Sequence, residues 1–190
     1  MKRLVSSFIA FAAFGALTLG AAHAEKWGVD GAHAYAHFSI IHFGIAPNYG
    51  RFDTIGGSYD VEGGELKGLT IDIDAASINT GVKKRDDHLK GPDFFNVKQF
   101  PKLTFKSTKV EKKSDDTYAV TGDLTIHGVT KSVTAEVKKT GMGKDPWGND
   151  RIGFTADLTI KRSDFGITHM AEGLSDEVKL MLSAEGIKGK

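Results

Sequence analysis

Cysteine is missing altogether, and proline occurs only four times, at positions 47, 92, 101 and 146. Without cysteine there can be no disulfide, no lipoprotein attachment site and no thiolate set for zinc, so stability must come from a packed core. Neither sign of charge is in excess, since 25 Lys and Arg face 24 Asp and Glu in 190 residues. Phosphate-backbone binding needs a basic surplus, so no nucleic-acid partner is expected. A bilayer-spanning run is lacking too. The apolar stretch Leu4 to Gly20 is short and rich in small residues, against the about 20 apolar residues that a span requires.

That stretch has another use. Lys2-Arg3 precede it and Ala22-His23-Ala24 ends it with a small-x-small pattern, so residues 1–24 read as a cleaved secretory signal. Removal at Glu25 leaves 166 residues, with 23 basic against 24 acidic side chains and a net charge of −1. Residues 25–190 then form one exported domain, with enough chain to bury roughly two-thirds of its unfolded surface.

What the chain does have is two-residue alternation. Ala34, Ala36, Phe38 and Ile40 share one face of an extended segment, with His33, Tyr35, His37 and Ser39 on the other. A second extended piece runs from Arg51 to Val61, and a third carries Leu69, Ile71, Ile73 and Ala75 against Thr70, Asp72 and Asp74. Later faces are Leu103 and Phe105; Tyr118 to Ile126; Val133, Ala135 and Val137; Ile152 to Ile160; and Val178 to Ala184. All four prolines lie outside these alternating cores. About eight one-sided strands with short connections suggest an all-β fold, a single antiparallel up-and-down barrel closed on itself, although an open sandwich has the same pattern. Periodicity does not say which face is inward. The charged opposing faces, the lack of an aromatic girdle and the Gly189-Lys190 end favour a soluble barrel over an outer-membrane one.

The densest stretch is Arg85 to Ser107. Val82, Arg85 and Leu89 recur at helical spacing, which predicts a short helix near 82–91, with Gly91 in a left-handed cap and Pro92 as the stop. Phe94, Phe95 and Phe100 follow as an aromatic plug before a strand that starts after Pro101.

This stretch, with its RDDHL, DFF and TFKS runs, resembles the signature of the YceI-like family of periplasmic polyisoprenoid-binding proteins. Further pieces of the resemblance are His33 and His42 around the first strand, Gly50-Arg51-Phe52, Ser77 to Thr80, Gly122 to Thr130, Pro146-Trp147-Gly148 and Arg162 to Gly166. The resemblance implies a lipocalin-like barrel holding a long apolar molecule: a polyprenyl phosphate, a quinone-like lipid or similar. It also implies binding without catalysis.

Small residues on the apolar faces, Ala36, Ala75, Gly122, Ala135, Ala156 and Ala184, either relieve crowding in a taper or leave a channel. On the resemblance, the channel is expected. Its wall would comprise Phe38, Phe52, Ile71, Ile73, Phe105, Val120, Leu124, Val133, Phe154, Leu158 and Leu180, and its mouth His42, Arg51 and Arg85. Arg85, Asp86 and His88 read as an acid-base set, as pins for the helix or, through the guanidinium of Arg85 or Arg51, as a contact for a lipid head. No nucleophile elbow, phosphate loop or carboxylate pair accompanies them, so no enzyme activity is expected. No metal and no cofactor are expected either: His33 and His37 stand about 13 Å apart at strand rise, and no HExxH pair exists. The expected partner is a long-chain apolar small molecule. A homodimer stays open, as do two rivals, an enzyme on a lipid substrate and a stress-response or interaction module with a structural lipid.

Overall fold

A computed structural model describes residues 23–190, so the expected leader lies outside the described residues apart from its last two positions. Strand β1 (Glu25–His42) sets the architecture because it is long enough to change partners. Its first residues pair with β3 (Ile55–Glu62) and its last with β2 (Ala46–Phe52). Residues 51–61, read as one extended piece, are therefore two strands broken at Asp53 and Thr54. The N–H of Asp53 donates to the Ser77 carbonyl, and that of Thr54 to Ser77 Oγ. Next come β4 (Glu65–Asp74), a 3-10 turn at Ala75–Ser77, β5 (Ile78–Asn79) and helix α1 (Lys83–Leu89). Then follow β6 (Lys102–Lys112), β7 (Thr117–Ile126), β8 (Val129–Lys144), β9 (Asp150–Lys161), a 3-10 turn at Arg162–Phe165 and β10 (Leu174–Lys188).

Among the described residues these ten strands make one antiparallel sheet, and β10 pairs back with β1 from Trp27↔Lys188 to His42↔Leu174. Counting β2 and β3 as one broken wall, and β5 as the continuation of β4, the sheet is an eight-walled closed barrel. Closure leaves no long edge for another chain to pair with.

Alternation resolves the same way all round. Ala36, Phe38, Ile71, Ile73, Phe105, Val120, Leu124, Ala135, Phe154, Ala156, Leu158, Leu180 and Ala184 face one another across the interior, so the apolar faces are inward. At the end carrying the β3–β4, β6–β7 and β8–β9 connections the interior is plugged. Trp27, Tyr59, Val61, Leu66, Tyr118, Val137, Ile152 and Phe154 pack there into one buried cluster. The other end carries the β1–β2 turn, α1 with its following segment, the β7–β8 turn and the β9–β10 connection.

Helix α1 is as short as expected, but its exit differs. Gly91 is not left-handed; the positive φ of 43° falls on Asn96. The chain winds on itself instead. Phe95 N–H donates to the Leu89 carbonyl, Val97 to Lys90, and both Phe94 and Asn96 to Gly91, so the helix-end carbonyls are satisfied without a left-handed glycine. This wound segment sets Phe94 in the core, only 6% exposed.

Candidate functional site

Two adjoining cavities occupy the open half of the barrel. The deeper, of about 140 Å³, lies between the walls and is lined by Ala36, Ile71, Ile73, Phe105, Val120, Leu124, Ala135, Phe154, Ala156, Leu158 and Ala184, among others. The outer, of about 570 Å³, lies under α1 and the β9–β10 connection. Phe38, Phe52, Leu103, Ile126 and Leu180 line both, so the two meet at one waist. A space of about 10–15 Å³ on this measure admits one water. Even the inner cavity is far from a close-packed centre. From Ala184 to Leu174 the lining follows β10 over about 33 Å of strand at the usual rise.

Small side chains create the room, but not all of them. Ala36, Ala135, Ala156 and Ala184 line the inner cavity. Ala75 belongs to the 3-10 turn instead of a strand and is fully packed. The space at Gly122 belongs to Phe105, because a Cβ there would stand 2.4 Å from the ring's Cζ. Gly50 likewise accommodates Phe38, whose Cζ would meet an added Cβ at 2.3 Å. These glycines aim rings across the barrel, and the alanines leave the void.

Of the expected wall residues, Phe38, Phe52, Ile71, Ile73, Phe105, Val120, Leu124, Phe154, Leu158 and Leu180 line one or both cavities. Val133 does not. It faces inward opposite Gly122 and packs into the core cluster beside the mouth. Of the expected mouth residues, His42 and Arg85 line the outer cavity. Arg51 lies outside both: it is exposed and donates from Nε to Asp53 at 2.6 Å, with Asn79 holding the other oxygen of that carboxylate. Adjacent strand residues face opposite ways, and Phe52 is the one turned in. The Arg51 contacts hold the Asp53 carboxyl below its usual range.

Asn48, Thr80, Lys84 and His88 also reach the outer cavity, and none of them was marked by the strand pattern. Arg85 donates from Nε to Thr80 Oγ1 at 2.7 Å and from Nη2 to the Thr80 carbonyl at 2.9 Å. Among the described residues the other three of its five N–H groups have no hydrogen-bond partner. Asp86 accepts from the Thr80 N–H at 2.8 Å and from its hydroxyl, which ties the start of α1 to the preceding loop. Both residues therefore act as pins, and Arg85 can still offer charge to the cavity.

Arg162 lines the outer cavity but is only 7% exposed, and its guanidinium is engaged elsewhere. It donates to the carbonyls of Ser175, Ile167, His169 and Leu174 at 2.7 to 3.2 Å, which clamps the β9–β10 connection. Beside that connection His88, Asp93 and His169 come together, their ligand atoms within 4.8 Å of one another. Exposed apolar side chains, Phe43, Ile45, Tyr49, Val82 and Met170, surround the same end.

Residues 27–186 match the model of the YceI-like domain. The chain belongs to the YceI-like family. Its curated relatives include a UPF0312 protein of Yersinia pestis (strain Pestoides F), 44% identical over 177 residues, covering 91% of this chain and 92% of the relative. Among solved structures, a Campylobacter jejuni YCEI protein is 34% identical with a TM-score of 0.72, over 77% of this chain and 88% of that one. Burkholderia cenocepacia BcnA is 26% identical with a TM-score of 0.75, over 83% and 98%. A polyisoprenoid binding domain from Saccharophagus degradans is 17% identical with a TM-score of 0.69, over 87% and 99%, and that likeness carries the fold alone. The YceI-like barrel is thus the scaffold, and the cavity is what it positions. Among the described residues no helix is long and apolar enough to cross a membrane.

Proposed function

We propose that this protein binds a long apolar molecule of the polyisoprenoid type inside its barrel and acts as a carrier or store for it. The observation that supports this most is the apolar void itself, which opens from a polar mouth and deepens along the strands. Each methylene moved from water into such a wall is worth about 0.8 kcal/mol, so a few isoprene units outweigh the cost of ordering one chain. The mouth adds oxygen-binding groups, with Arg85, Lys84, His42 and Asn48 placed for a phosphate or quinone-like head.

Binding without turnover is part of the proposal: Asp86 accepts from Thr80 and ties α1 to the preceding loop, which is a structural use of that carboxylate. A periplasmic location is part of this proposal, and the leader-like pattern of residues 1–24 supports it. Ala156→Trp tests the assignment, because Ala156 lines the inner cavity and an indole there fills it. Wild-type protein purified from its own host is expected to carry lipid, and the variant to lose it while keeping a cooperative melt. Overfilling a site normally costs about 1–3 kcal/mol, and existing void reduces that cost. Undiminished lipid in a folded Ala156→Trp protein would remove the inner cavity from the site.

A further inference from the structure

We propose that His88, Asp93 and His169 form a binding site, at the mouth of the barrel, for a divalent transition metal ion that accepts imidazole and carboxylate together. The three come from separate segments: the last turn of α1, the wound segment after it, and the β9–β10 connection. Two imidazoles and one carboxylate are a donor set that suits zinc or iron, with the remaining positions open.

Geometry carries the assignment. Metal–ligand bonds of about 2.0–2.2 Å put neighbouring ligand atoms roughly 3.0–3.5 Å apart. His88 Nε2 and Asp93 Oδ2 already stand at 3.1 Å, and all three ligand atoms lie within 4.8 Å. At most about 1.5 Å of closure is needed, within reach of a rotation about side-chain bonds. His88 and Asp93 are about half exposed, 51% and 50%, and can make that rotation.

The backbones are held, and the His88 and Asp93 side chains hydrogen-bond to each other. Arg162 Nη1 donates to the His169 carbonyl at 2.7 Å, which fixes where that histidine starts. The Leu89 and Gly91 carbonyls accept from Phe95, Phe94 and Asn96, which fixes the turn that presents Asp93. Buried Phe94 supports both imidazoles edge-on, with ring centroids 5.1 Å from His88 and 5.2 Å from His169. A ring cluster of this kind keeps two histidines side by side, facing one carboxylate. His88 also lines the outer cavity, so the three residues stand at its edge.

Zinc alone is the probe. It is titrated calorimetrically into tag-free, chelator-treated protein, both as purified and after delipidation, because the site requires no lipid. One zinc per chain is expected in both preparations. His88→Ala, His169→Ala and Asp93→Asn should each weaken it at least about tenfold, since even outer-shell changes cost that much. His37→Ala, on the outer face of β1, should leave the affinity as it is. Melting of the metal-free variants serves as the fold control, and each variant reads the same site independently of the others. No stoichiometric zinc in either preparation would overturn the proposal. So would wild-type affinity in both histidine variants, or an equal loss in His37→Ala. Loss of lipid from all samples would bear on the cavity and not on the metal.

Discussion

At the scale of single residues, two buried polar atoms stand without a partner among the described residues: Trp27 Nε1 and Tyr118 Oη. Both side chains are about 1% exposed, in the plugged end of the barrel. An orphaned hydroxyl in such a place loses its water without compensation, so Tyr118→Phe should stabilise the protein by about 1 kcal/mol, read as a higher urea midpoint at unchanged slope. A lower midpoint would mean that the hydroxyl is bonded. Residue-level legibility was uneven for a related reason. Phe38, Ile71 and Leu180 were readable because alternation fixes a face. Arg51 was assigned on chemistry alone, next to Phe52, and two neighbours on one strand cannot both face the interior. His88, Asp93 and His169 carry no local signal, because about 80 residues separate the first from the last and only the folded chain joins them.

At the scale of elements, one cation links several parts of the plugged end. Arg151 on β9 reaches Asp30 on β1 and Glu185 on β10, both at 2.8 Å from Nη1, and Asp145 in the β8–β9 connection at 2.8 Å from Nε. The Arg151 hydrogen bond, then that of His33, holds the Asp30 carboxyl well below the usual carboxylate range, and Arg151 does the same for Asp145. Both groups have folded pKa values below their unfolded ones, so the stabilisation is complete above about pH 4. It is lost as pH falls from there through the lowered values. Arg151→Met should therefore lower the urea midpoint at pH 7, and the gap to wild type should narrow steadily from pH 4 towards pH 2. A gap constant over that range would show that the carboxylates are not coupled to Arg151. The eight walls followed from periodicity, whereas closure into a ring, as against an open sandwich, is given by the β10–β1 pairing. Periodicity did not show the break at Asp53 and Thr54, since the Ser77 bonds that make it come from another element.

At the scale of the whole molecule, the barrel is packed at one end and hollow at the other, and the difference comes from a handful of positions. Trp27, Tyr59 and Tyr118 fill the plugged end, whereas Ala36, Ala135, Ala156 and Ala184 face one another further along. Composition could show that small residues recur. It could not show that four of them open onto one void, with Gly50 and Gly122 instead making way for rings. Native mass spectrometry of the wild-type protein, purified from its own host without added lipid, tests the central claim most directly. One apolar molecule per chain, retained at low collision energy and released as an isoprenoid-type mass, is the expected result. A spectrum containing only the bare chain, from protein whose fold is intact, would contradict it.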